Sequence, residues 1–209
     1  MTSPAGQRIE NLPPEQWTPE VEALFPIMLP PTSTAKGSDF NSILLLAQHP
    51  KLAEPWLRFN AKVAQGFTLS ARIREIAILR TAWQRRSDYE WVHHTLSGAR
   101  AGLTAADFDM LQRNDPGLAW SGLEALVIRA TDEICADGGI SPQTLLRLNQ
   151  HFQTEQIMEL LFVVGCYVAL AAILNTAGAV IKPKMLRQAE TAGFPMLRSR
   201  HGAVQGSVS

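Results

Sequence analysis

Apolar positions recur at helical spacing in one segment of this chain after another. Asn41 to Gln48 carries Ile43, Leu44, Leu45 and Leu46, and Leu52 to Gln65 places Trp56, Phe59 and Val63 on one side. Ser70 to Gln84 opens with a capping serine and sets Ile73, Ile76, Ala77 and Leu79 on a common face. Ser87 to Ala101 follows and stops at Gly102, and Thr104 to Arg113 begins at another cap. Ser121-Gly-Leu-Glu124 is a capping box that leads a helix to about Ala136. Ser141-Pro142 starts the next, since proline suits a first helical turn. Thr154 starts the last, expected to run to about Ile181 and to be stopped by Pro183. No stretch sustains the alternation of a strand. The pattern predicts an all-α domain of seven to eight helices.

The two ends differ from this middle. Residues 1–36 hold seven of the thirteen prolines. Proline fixes φ and removes a donor, so this stretch is expected to be an extended arm with at most short helical turns. Trp17, Leu24, Phe25, Ile27 and Met28 give the arm something to bury against a surface. Residues 37–190 are expected to form the helical domain, and the Gly/Ser/Arg-rich residues 191–209 a flexible tail.

Ile157 to Ile181 is apolar on every side, with Glu159 as its only charge. Twenty-five such residues are long enough to span a bilayer. Glu159 near one end, Asn175 and Thr176 near the other, and the lack of a basic flank or aromatic belt argue against a membrane. A helix buried on all sides is the better reading. Only 18% of residues are charged, so a homo-oligomer (dimer, trimer or hexamer) is expected to cover part of this helix.

Nineteen basic residues balance nineteen acidic ones. A nucleic-acid partner is not expected, because it would call for a cationic excess. Two cysteines build no disulfide framework, and Met1 to Leu12 lacks the apolar core of a signal peptide, so a cytoplasmic setting is expected.

The densest cluster of reactive side chains lies between Arg72 and His94. Glu90 and His94 are four apart and share a helix face. A carboxylate beside an imidazole raises its proton affinity, which suits acid–base work near neutral pH. A hairpin around Arg85-Arg86 would bring Glu75 toward the same face. Ordinary roles stand beside these. Ser87 to Glu90 reads equally as a capping box, Glu75 could pair with Arg72 or Arg74, and Cys135 and Cys166 read as buried inert thiols. Glu90, His93 and His94 lack the His-x-x-x-His spacing of helical zinc sites, so no metal is expected.

Glu75, eleven residues, Ser87, two residues, Glu90, three residues and His94 resemble the motif of the carboxymuconolactone decarboxylase family. The related alkyl hydroperoxidase D proteins carry cysteines where Ser87 and Glu90 stand here. Leu69 to Glu75, Ile78 to Arg80 and Ala101 to Thr104 fit the same pattern, and the likeness extends over roughly residues 40–182. The resemblance implies an alkyl hydroperoxidase D-like helical fold. Ser87 and Glu90 cannot form the peroxidase disulfide, so the departure points to the lyase branch. Glu75, Glu90 and His94 are then the expected catalytic set, with no cofactor. His94, charged through Glu90, would be the first proton donor.

Ser87, Arg80, Arg85, Tyr89 and Trp91 are the expected substrate-binding residues, with Arg80 or Arg85 receiving a carboxylate as a bidentate pair. The expected reaction is decarboxylation of a small cyclic carboxylated or lactone substrate, as in aromatic catabolism. The alternatives are another acid–base reaction in the same cavity, a hydroperoxidase with a degenerate thiol site, or a non-catalytic helical oligomer that binds a small molecule.

Overall fold

The computed structural model describes residues 7–29, 41–65, 67–113, 120 and 122–197. The expected cap at Ser121, the expected boundary after residue 36 and the tail from residue 198 lie outside them. A short 3-10 turn at Pro14–Gln16 precedes α1 (Pro19–Glu22) and α2 (Phe25–Met28). Then come α3 (Asn41–Leu46), α4 (Pro50–Gln65), α5 (Ala71–Arg85), α6 (Asp88–Arg100) and α7 (Ala105–Leu111). The chain continues through α8 (Gly122–Asp137), α9 (Pro142–Leu148), α10 (Thr154–Ala177) and α11 (Pro183–Thr191). There is no strand among the described residues.

The eight helices expected from periodicity correspond to α3 through α10. The arm adds two four-residue helices, and α11 is a further helix that the pattern left out. Pro183 is the reason. It occupies the first turn of α11, where a missing amide costs nothing, so it opens a helix instead of closing one. The preceding helix stops earlier than expected, at Ala177. Gly178 takes the left-handed conformation there (φ 66°, ψ 46°), and its amide closes on the carbonyls of Leu174 and Asn175.

Helix α5 is the hub, packed against α6, α8 and α10. Ile76 through Trp83 are all buried. Helix α10 packs on α4, α5 and α8. It is apolar and long enough to cross a membrane, with mean hydropathy 2.5, yet 56% of its most apolar stretch is buried within the protein. This is the behaviour of a core helix. One side stays open, with Met158, Phe162 and Ile173 exposed. The described arm lies against the helical body. Arg8 donates to the carbonyls of Thr176 and Asn175 at the C-terminus of α10, where a cation complements the helix dipole. Val21, Leu24 and Phe25 pack with Leu57 of α4.

Gly98 lets α6 approach α5. A Cβ at that position would meet Leu103 Cδ1 at 2.9 Å and Leu79 Cδ1 at 3.2 Å. Two buried charges hold the frame on either side. Glu159 of α10 accepts hydrogen bonds from the amides of Thr68 and Leu69 and from the Thr68 hydroxyl, at 2.8 to 3.1 Å, and so fixes the segment leading into α5.

Arg80 is the second charge, and here the structure corrects an expectation. The residue is 1% exposed. Its guanidinium makes a bidentate pair with Asp132 of α8 at 2.6 and 2.7 Å, donates to the carbonyls of Leu111 and Arg113, and lies over the ring of Trp83. Its fork is filled from within the fold, which leaves it no role in substrate binding.

Removing a buried acceptor strands every donor it served. The Glu159→Ala variant should therefore lose about 3 kcal/mol of unfolding free energy, measured by urea denaturation. Glu159→Gln, which keeps an acceptor oxygen, should lose less.

Candidate active site

The turn between α5 and α6 sets the geometry of the site. Arg86 adopts a left-handed conformation (φ 54°, ψ 44°), and its amide closes on the carbonyls of Ala82 and Trp83. The Ser87 amide reaches back to the Ala82 carbonyl at 2.9 Å. Such a closure usually falls on glycine, and an arginine there costs roughly 1 kcal/mol. The chain reverses within two residues, so α6 runs back along α5.

Glu75 and His94 then meet across the pair of helices. Glu75 Oε2 lies 2.8 Å from His94 Nδ1. Glu90 Oε2 lies 3.9 Å from His94 Nε2, beyond hydrogen-bond range. The expected trio converges, with one change of roles. The direct partner of His94 is Glu75 on the neighbouring helix, and the i+4 neighbour Glu90 stands on the other side of the ring. A carboxylate at Nδ1 fixes a proton on that nitrogen and leaves Nε2 as the working end. The edge of the His94 ring meets Tyr167 of α10, with centroids 4.8 Å apart and planes at 89°.

A cavity of about 460 Å³ opens in front of this group. That is the size of a small-molecule site. Glu90, His94 and Tyr167 form its reactive wall, Asn60 and Tyr89 flank them, and the exposed Arg100 and Lys184 line it as well. Met28 of α2 contributes to the lining, so the arm takes part in the site. His93 lines the same cavity and stacks on Tyr89 at 4.4 Å between centroids.

The electrostatics follow from burial. Loss of water pushes the Glu90 carboxyl up. His94 opposes that shift and Glu75 adds to it, leaving Glu90 at about 7. Burial alone would lower the proton affinity of His94. The charge and hydrogen bond of Glu75, with Glu90 behind them, outweigh it, and the net direction is upward despite Arg74. Burial, reinforced by Glu90 and Glu75, holds the Tyr167 phenol well above its ordinary value, so it stays protonated. The site therefore keeps protons near neutral pH on groups facing one cavity.

The other expected binding residues divide. Tyr89 lines the cavity, and its hydroxyl accepts a hydrogen bond from the Ser42 amide at 3.1 Å. Ser87 precedes α6, but its side chain makes no capping bond. Its hydroxyl is fully buried without a partner among the described residues and stands outside the cavity lining. The capping-box reading of Ser87 and Glu90 thus fails, because Glu90 turns toward the cavity instead of back to the cap. Arg85 donates to the carbonyl of Cys135, away from the cavity. Trp91 is a core residue whose indole donates to the Pro195 carbonyl at 2.8 Å.

Both cysteines are unpaired. Burial raises both thiols, Cys166 to about 11, which opposes thiolate formation. Among the described residues no three His, Cys, Asp or Glu side chains group as metal ligands. Tyr167 was missed by sequence reasoning, since nothing in an unbroken apolar run marks one of its residues as facing a cavity.

Residues 50–133 match the model of the carboxymuconolactone decarboxylase family. The matched segment runs from α4 into α8 and includes Glu75, Glu90 and His94. No curated protein and no solved structure matches the chain.

Burial raises the Glu90 proton affinity, so the folded state holds that proton more tightly than the unfolded chain does. Its contribution to stability is complete below about 4.5, the ordinary carboxyl value, and is lost as pH rises through about 7. Glu90→Gln should therefore raise unfolding free energy at pH 8 by roughly 1 to 3 kcal/mol. Thermal melts across the pH range should show the two proteins converging in acid.

Proposed function

We propose that the protein is a cofactor-independent lyase of the decarboxylase type, acting on a small cyclic substrate with a carboxylate and a lactone or ketone carbonyl. One observation carries this reading. His94, hydrogen-bonded to Glu75, lines a small-molecule cavity together with Glu90, and the resemblance to the hydroperoxidases would put redox thiols where Ser87 and Glu90 stand.

The chemistry is balanced by these groups alone. The bond from the ring carbon to the carboxylate breaks, its electron pair moves into the conjugated carbonyl, and carbon dioxide leaves. A proton from Nε2 of His94 or from Glu90 then quenches the carbanion equivalent at carbon. Glu75 positions the imidazole and supports its positive charge. The proton donor must be protonated, so turnover falls as pH rises through about 7, where Glu90 ionises. The substrate carboxylate falls to Arg100 and Lys184, the cations lining the cavity, in place of Arg80 and Arg85.

Two further assignments belong to the same reading. The unpaired thiols suit a reducing cytoplasm. A second copy of the chain covers the open side of α10, where Met158 and Phe162 are 46% and 48% exposed.

His94→Ala and Glu75→Gln should lower decarboxylation of a carboxymuconolactone by about 100-fold or more, in the range of a lost general acid. Loss of carbon dioxide release in folded variants is the measurement. Arg100→Ala should raise KM about tenfold with kcat nearly unchanged. Thiol-dependent peroxide consumption at a comparable rate would overturn the lyase reading. Phe162→Glu should shift the sedimentation coefficient from oligomer to monomer, and a monomeric parent protein would remove the subunit assignment.

A further inference from the structure

Tyr167 is the one group on the reactive wall to which acid–base chemistry gives no task. It is 3% exposed, it lines the cavity, and its hydroxyl has no hydrogen-bond partner among the described residues. A phenol held among apolar neighbours is normally paired, and here the open side of the hydroxyl is the cavity. The other tyrosine of the cavity follows that rule through the Ser42 amide. Tyr167 stands with its ring against the edge of His94, beside the group that would carry the proton. The α10 helix that supplies it packs on α5 and α4. A hydroxyl that lines the cavity with no protein partner among the described residues is a donor available to a ligand oxygen, as an oxyanion site requires.

We infer that the Tyr167 hydroxyl is a catalytic hydrogen-bond donor to the carbonyl oxygen of the substrate, stabilising the enolate that forms when the adjacent carbon gives up carbon dioxide or a proton. The inference rests on the proposed acid–base function and narrows its substrate class. The ligand must place an enolisable carbonyl, conjugated with the reacting carbon, against α10, while that carbon faces Nε2 of His94 and Glu90. A simple carboxylic acid without such a carbonyl has no electron sink and would not react. Protonated phenol and charged imidazole then take the two ends of one electron shift, oxygen at Tyr167 and carbon at His94.

The experiment uses the whole protein and α-angelica lactone, which carries an acidic C–H next to a lactone carbonyl and no carboxylate. In deuterium oxide Nε2 of His94, in its neutral form, removes the C3 proton, the electron pair moves onto the carbonyl oxygen, and a deuteron returns to carbon from the same nitrogen after exchange with solvent. Proton NMR reads the exchange without oxidant, reductant or cofactor.

Wild-type protein should exchange the lactone well above the buffer rate. The Tyr167→Phe variant, folded by its melting curve, should be slowed about 100- to 1000-fold. That loss should lie in kcat with KM little changed, because the hydrogen bond strengthens only as charge develops. Equal rates for Tyr167→Phe and wild type, with exchange abolished in His94→Ala, would overturn the role of Tyr167 and leave the acid–base reading standing. A wild-type protein that exchanges no faster than buffer would overturn both.

Discussion

The contact between Glu75 and His94 exists only while α5 and α6 lie antiparallel at close range, and much of the fold serves that condition. Arg86 accepts a left-handed backbone so that the chain can reverse in two residues. Gly98 gives up a side chain so that the helices can close. Arg80 binds α5 to α8 through Asp132, and Glu159 binds the entry of α5 to α10. These are separate devices on three sides of one helix. Each limits a different motion of α5, so the carboxylate of Glu75 meets the imidazole at hydrogen-bond distance with few degrees of freedom left.

The charges inside the fold fall into two kinds. Arg80 and Glu159 have their hydrogen-bonding capacity met by protein groups, and they hold elements together. Glu90 faces a cavity, makes no hydrogen bond within range of His94, and has its proton affinity raised by burial to about 7. A carboxyl in that condition contributes nothing to holding elements together. A carboxyl whose proton affinity is raised in this way costs stability when it ionises, in keeping with a general tension between stability and activity.

How much of this was legible in the sequence depended on how local each signal was. The eight principal helices were, because caps and periodicity lie within a few residues of each other. The pairing of Glu90 with His94 on one face was legible from their spacing, and the approach of Glu75 from a short reversal. The identity of the direct partner was not, since i+4 spacing brings two groups near and leaves the final angle to packing. Arg80 looked available for a ligand because its partner, Asp132, lies 52 residues away on another helix. Proline marks both ends of helices, so Pro183 alone does not tell a stop from a start, and only the tertiary position of α11 decides between them. Tyr167 lay within a run of apolar residues that carries no periodic mark of which face is inward.

The cavity wall of Glu90, His94 and Tyr167 carries no thiol among the described residues. A dithiol centre reads the balance of oxidants and reductants around it, and it stops when both sulfurs are oxidised. A wall of carboxyl, imidazole and phenol has no oxidation state to lose. Its two cysteines sit with raised thiols, one of them bonded to Asn60, where peroxide finds little thiolate to attack. Such a protein would keep its reactivity through oxidative episodes that silence a thiol enzyme, and would respond to acidification of its surroundings instead.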